Sequence, residues 1–122
     1  MIVLDSSAII DLFLGTELGK KVKAKIGQES IAVTSISVHE VLVGYKDKEV
    51  VTNFFKSVTV ISFDEQASYK SCELDEVLKK KGKPIAKLDL FIASICMHHN
   101  LSLITTDKDF KEVEGLTFIH IV

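Results

Sequence analysis

Ile2-Val3-Leu4-Asp5-Ser6-Ser7 opens the chain, and Leu103-Ile104-Thr105-Thr106-Asp107-Lys108-Asp109-Phe110 lies near its end. Each reads as a buried strand that stops at an aspartate, where a loop begins. Short, unbroken apolar runs of this kind fit strands covered on both faces, as in a parallel sheet between helix layers. In such a sheet the carboxyl ends of the strands share one edge, and sites form along it. Two carboxylates on that edge repel each other unless a cation sits between them. The two stretches together point to an α/β fold and to a metal site.

Working outward, strand and helix patterns alternate. Residues 2–4 read as a strand and 7–14 as a helix, with Ser6 or Ser7 as N-cap. Gly15 breaks that helix, and a lysine-rich amphipathic helix follows to about residue 26. Strands are expected at 31–34 and 58–61, with helices over 37–45 and 48–55 between them. Asp64 caps a long helix to residue 81. Gly82 and Pro84, the only proline, mark a loop. An apolar helix over 86–99 and strands at 102–105 and 117–121 complete the pattern. This predicts an α/β fold with a mostly parallel central sheet and helices on both faces. Residues 1–122 are expected to form a single domain, with no internal repeat or low-complexity linker.

Bulk composition narrows the classes. With 122 residues and 47% apolar content, the chain has enough for one core and is too apolar for disorder. Its net charge of −2 does not advertise nucleic-acid binding. All fifteen basic residues are lysines, and many fall within 20–25 and 79–87. Cys72 and Cys96 fit reduced thiols in a cytoplasmic protein better than a disulfide framework or a zinc site. The longest apolar run, 90–97, is too short to span a bilayer, and no signal peptide is visible.

Four acidic residues sit where charge is awkward: Asp5, Glu40, Asp89 and Asp107. Each has a structural explanation. Asp5 can cap the first helix. Ser37-Val38-His39-Glu40 matches a capping box, with Ser37 as N-cap. Asp89 suits the dipole at its helix start, and Asp107-Lys108-Asp109 fits an Asx turn. Together they read differently, because each lies close to the same sheet edge. Converging carboxylates raise one another's pKa unless Mg²⁺ or Mn²⁺ is bound. Oxygen ligands without clustered His or Cys select those cations over zinc, and such a site suits phosphodiester hydrolysis.

At this point the chain resembles the PIN domain family, and within it the small ribonuclease toxins of the VapC type from toxin–antitoxin pairs. The resemblance rests on Ile2-Val3-Leu4-Asp5-Ser6-Ser7-Ala8-Ile9-Ile10, on Ser37-Val38-His39-Glu40-Val41-Leu42-Val43-Gly44, and on Lys87-Leu88-Asp89-Leu90-Phe91-Ile92-Ala93-Ser94. Leu103-Ile104-Thr105-Thr106-Asp107-Lys108-Asp109-Phe110 is its fourth and most specific motif. The four occur in order across the whole chain. The resemblance implies a Mg²⁺- or Mn²⁺-dependent endoribonuclease that leaves a 5′-phosphate and a 3′-hydroxyl. Asp5 and Asp89 would be the primary metal ligands, and Glu40 and Asp107 would complete the site. Asp109 would lie further from the metal, and Thr105 or Thr106 would hydrogen-bond the carboxylates. It also implies a homodimer, an RNA substrate and a small antitoxin that blocks the site.

Other features carry less. The lysines at 79–83 and Lys87 read either as a solvated helix end or as an RNA-backbone rim beside the crevice. Lys20, Lys21, Lys23 and Lys25 lean to the first reading. His39 points about 100° from Glu40 on a helix. His98, His99 and His120 lack ligand spacing, and no chemistry is assigned to them. The apolar faces at Ile9, Ile10, Phe13 and Leu14, and at Val41, Leu42 and Tyr45, are expected to include core, with any surplus forming a dimer or antitoxin groove. A receiver-type signalling domain wants an acidic pair after the first strand, where Ser6-Ser7 stands instead. A haloacid-dehalogenase-type phosphatase needs an acid at position 7, which is Ser7. A non-catalytic RNA- or protein-binding module and an RNA-processing nuclease without an antitoxin stay open as alternatives.

Overall fold

A computed structural model describes residues 1–122. The chain runs β1 (Ile2–Leu4), α1 (Ser6–Leu14), α2 (Glu17–Ile26), β2 (Ile31–Thr34), α3 (Ser35–Gly44), α4 (Lys48–Ser57) and β3 (Thr59–Ile61). It continues α5 (Glu65–Lys80), α6 (Lys87–His99), β4 (Ser102–Thr105), a 3-10 turn (Lys108–Phe110) and β5 (Phe118–His120). The five strands form one sheet in the order β3-β2-β1-β4-β5, and every pairing is parallel. The expected architecture is present, with the sheet wholly parallel.

Alternation along the strands explains the layers. Ile2, Leu4, Val33 and Ile104 face one side and pack with Ala8, Ile9, Val22, Ile26, Val41, Val51 and Phe55 from α1 to α4. Val3, Ala32 and Leu103 face the other, against Leu74 and Leu78 of α5 and Leu90, Ala93 and Cys96 of α6. Successive side chains of a strand point to opposite faces. A run without a polar residue is what two covered faces require.

The strand order sets the site. The chain leaves β1 to build β2 and β3 on one side, then returns to place β4 and β5 on the other. The crevice between the carboxyl ends of β1 and β4 is the topological switch point, where ligands bind in open α/β sheets. The aspartates at positions 5 and 107 follow β1 and β4 there. No helix is long and apolar enough to cross a membrane.

Local boundaries depart from expectation in two places. Asp5, rather than Ser6 or Ser7, holds the N-cap position of α1, and its side chain makes no capping bond. Helix α3 begins two residues early, capped by the Thr34 hydroxyl, which accepts from the Ser37 amide at 3.1 Å. Ser37 is therefore the third residue of the helix and not its cap. Ser35 opens the helix because Thr34, in extended conformation, supplies the capping oxygen that Ser37 was expected to offer. Asp64 caps α5 as expected, accepting from the Ala67 amide.

Candidate active site

Asp5 is the best-buried acid, 3% exposed at the end of β1. Its Oδ2 accepts from Ser7 Oγ at 2.8 Å and from Thr105 Oγ1 at 2.7 Å. Its Oδ1 is buried with no hydrogen-bond partner. Burial raises the Asp5 pKa, against the two hydroxyl bonds that lower it. An unpartnered buried carboxylate oxygen is costly and calls for a ligand.

Glu40 is released from the capping role by the earlier start of α3. Instead, Ser6 Oγ lies 2.6 Å from Glu40 Oε1 and 2.8 Å from Ser37 Oγ. A hydroxyl has one proton, and the carboxylate is the stronger acceptor. Ser6 thus holds Glu40 against the start of α1 while His39 stays exposed.

Asp89 lies in the first turn of α6, as expected. Its carboxyl is pushed up to about 7, first by partial burial, then by the charges of Asp5, Asp107, Glu40 and Asp109. All five acids therefore share one electrostatic field. One oxygen each from Asp89, Asp107 and Asp109 lie within 4.8 Å of one another.

The fourth motif is tied down by its own polar groups. The Asp107 amide donates to Thr105 Oγ1 at 2.9 Å, and the Asp109 amide donates to Asp107 Oδ1 at 3.0 Å. The latter is the Asx turn anticipated for this stretch, formed within the acidic group rather than in place of it. Thr105 reaches Asp5, whereas Thr106 Oγ1 donates to Asp11 Oδ2 at 2.8 Å. The Thr106 amide also donates to Ser7 Oγ at 3.1 Å. These bonds fasten β4 and its loop to the start of α1.

Asp109 sits closer to Asp89 and Asp107 than sequence reasoning had placed it. Ser6, Ser7 and Asp11 were missed as positioning groups. The adjacent serines were visible after Asp5 but read as helix caps, and nothing near Asp11 marked it. The lysine run divides: Lys79 pairs with Asp75 at 2.8 Å, and Lys81 with Glu114 at 2.9 Å. Both cysteines are free, and burial followed by the Asp5 charge pushes the Cys96 thiol up to about 12, so it stays protonated.

The donor set fits a hard divalent cation. Asp89, Asp107 and Asp109 bring three carboxylate oxygens within reach of one point, an all-oxygen set, whereas Asp5, with its unpartnered buried Oδ1, and Glu40 are not part of that close group.

A five-stranded parallel sheet with acids gathered at its switch point defines a class of α/β domains, and the PIN domain model matches residues 2–116. The chain belongs to the PIN domain family. Ribonuclease VapC3 of Methanocaldococcus jannaschii is 34% identical over 94 residues, covering 76% of this chain and 95% of that protein. Ribonuclease VapC5 of Mycobacterium tuberculosis is 23% identical over 98% of this chain and 93% of that protein. Among solved structures, VapBC2 of Rickettsia felis bound to a DNA fragment from its promoter matches over 100% of both chains. Its TM-score is 0.82 at 24% identity.

Proposed function

We propose that this protein is a metal-dependent endoribonuclease acting as the toxin of a toxin–antitoxin pair, with residues 1–122 as its nuclease unit. The observation that carries the reading is the acidic crevice between β1 and β4, with Asp89 raised to about 7 beside Asp5 and its unpartnered oxygen. The relatives named as VapC ribonucleases support RNA as the substrate. The VapBC complex among the similar structures supports an antitoxin partner.

Asp5, Asp89, Asp107 and Glu40 would hold Mg²⁺ or Mn²⁺, with Asp109 beside them. When bound, that ion lowers the pKa of a water and offsets charge on the scissile phosphate. The chain's own groups do the positioning. Thr105 and Ser7 fix the Asp5 carboxylate, Ser6 holds Glu40, and the Asp109 amide orients Asp107. Partial burial and the neighbouring acids raise the Asp89 carboxyl to about 7, so it would give up its proton to a bound cation near neutral pH at little cost. The complete acidic set favours catalysis over a purely binding module.

Leu14 and Val43 are 62% and 71% exposed, and Leu14 lines a cleft of about 400 Å³ with Gly44, Tyr45, Lys46 and Asp47. Large exposed apolar residues beside a cleft support a protein partner, either the antitoxin or a second copy in a homodimer. The setting would be cytoplasmic.

The test is incubation of purified protein, shown to be folded and free of antitoxin, with mixed cellular RNA. Parallel reactions contain Mg²⁺, Mn²⁺ or EDTA, and Asp5→Asn runs alongside. Cleavage that needs metal and is lost in the variant is the expected result. Equal cleavage by the variant would mean that Asp5 is outside the site.

A further inference from the structure

A groove of about 440 Å³ runs beside the acidic crevice, lined by Lys83, Pro84, Ile85 and Ala86 on one wall and Lys108, Asp109, Lys111 and Glu112 on the other. We propose that this groove is the seat of the RNA backbone next to the scissile bond, with Lys83, Lys108 and Lys111 contacting its phosphates. The inference rests on the nuclease reading and gives its substrate a path.

Continuity comes first. Asp109 belongs both to the groove and to the carboxylate group with Asp89 and Asp107. A strand lying in the groove therefore has a neighbouring phosphate at the acidic crevice. The volume is within the range of ligand clefts, about 300–1,000 Å³.

Charge selects the ligand. Lys83, Lys108 and Lys111 are exposed and make no ion pair within the fold. Lys79 and Lys81 are engaged with Asp75 and Glu114, so the lysine-rich stretch contributes to the groove through Lys83. Three free ammonium groups face two carboxylates, Asp109 and Glu112, and Asp109 is shared with the crevice.

Both walls are anchored, which lowers the ordering cost of binding. Ile85 packs against the core, and Pro84 restricts the loop before it. The Lys83 amide donates to the Leu78 carbonyl at 2.9 Å. On the other wall, Phe110 is fully buried between Lys108 and Lys111. No aromatic ring lines the groove, so stacking on bases is absent there. Phosphate contacts position a strand without reading its sequence, and the groove sets register rather than specificity.

The test compares the wild-type protein, the triple variant Lys83→Gln/Lys108→Gln/Lys111→Gln, and the control Lys20→Gln/Lys23→Gln/Lys25→Gln on α2. Binding of a short fluorescent single-stranded RNA of randomised sequence is measured in EDTA across a salt series. Cleavage of cellular RNA is measured with Mg²⁺ or Mn²⁺ at low and saturating RNA. The groove variant should bind about tenfold or more weakly at low salt, since each single-strand phosphate contact contributes roughly 0.7 to the log–log salt slope. Its KM should rise while kcat is kept, and the control should follow wild type. All three groove lysines are exposed, so equal melting temperatures are expected and checked. An unchanged salt slope in the groove variant, or an equal loss in the control, overturns the proposal. Cleavage by wild type with an unchanged groove slope removes the groove alone. A groove-dependent slope without any cleavage removes the nuclease reading and leaves an RNA-binding groove.

Discussion

At the scale of residues, Asp89 concentrates the conflict in the site. Its folded pKa of about 7 stands above the ordinary 3.8. Between those values the folded chain keeps a proton that the unfolded chain has released. The stability of the metal-free protein therefore falls as pH rises from about 4 to about 7, because the native state binds more protons in that window. Asp5, raised by burial, acts with the same sign. Asp89→Asn removes its share of that fall, a relative gain near neutral pH of about 1–2 kcal/mol once screening of a half-exposed group is allowed for. Urea unfolding in EDTA at acid and neutral pH checks this, and a variant with the wild-type pH slope would contradict it. In the presence of Mg²⁺ the same variant should lose RNA cleavage, because Asp89 is one of the carboxylates proposed to hold the cation.

At the scale of elements, two contacts position the crevice. Helix α2 crosses α1 at Gly19, where an added Cβ would lie 2.1 Å from the Asp11 carbonyl oxygen and 2.6 Å from its carbon. Both atoms are backbone, so neither can turn aside. Gly19→Ala is expected to cost about 2–3 kcal/mol through forced separation of the helices, read by denaturant midpoint; a loss below half a unit of that range would mean the pair is loosely packed. Strand β4 is tied to β1 by the Thr105 hydroxyl, which donates to Asp5 and accepts from the Asp107 amide. Thr105→Val keeps the shape and removes both bonds. It should destabilise by about 1–3 kcal/mol, since the buried Asp5 carboxylate loses a donor and the part-buried Asp107 amide its acceptor, and should also lower cleavage at temperatures where the variant is folded. Intact cleavage with lost stability would make Thr105 structural only.

At the scale of the whole molecule, metal binding and folding are linked. A cation that binds the assembled crevice and not the unfolded chain stabilises by about 2.7 kcal/mol at a hundredfold excess over its Kd. Thermal unfolding should therefore shift upward with Mg²⁺ or Mn²⁺ and return with EDTA, and Asp5→Asn should lose the shift. An identical shift in the variant would place the ion elsewhere. The effect would belong to the whole fold because the proposed ligands lie at the ends of β1 and β4 and on α3 and α6, which are distant in the chain.

The sequence by itself determined the strand and helix succession, since apolar runs, caps and breaks are written in neighbouring residues. It also placed acids at the ends of β1 and β4, and the four motifs pointed to the PIN fold. Only the tertiary structure decided which groups meet. Thr105 reaches Asp5 across 100 positions and Ser6 reaches Glu40 across 34. Thr34 displaced Ser37 as the α3 cap, which freed Glu40 for that contact. Asp109 joined Asp89 and Asp107, and Lys79 and Lys81 were drawn into ion pairs while Lys83 was left to the groove. The physical reason is one of range. Local pattern follows from dihedral preference and periodic burial along the chain, whereas partners in space follow from strand order and helix packing, which no short stretch encodes.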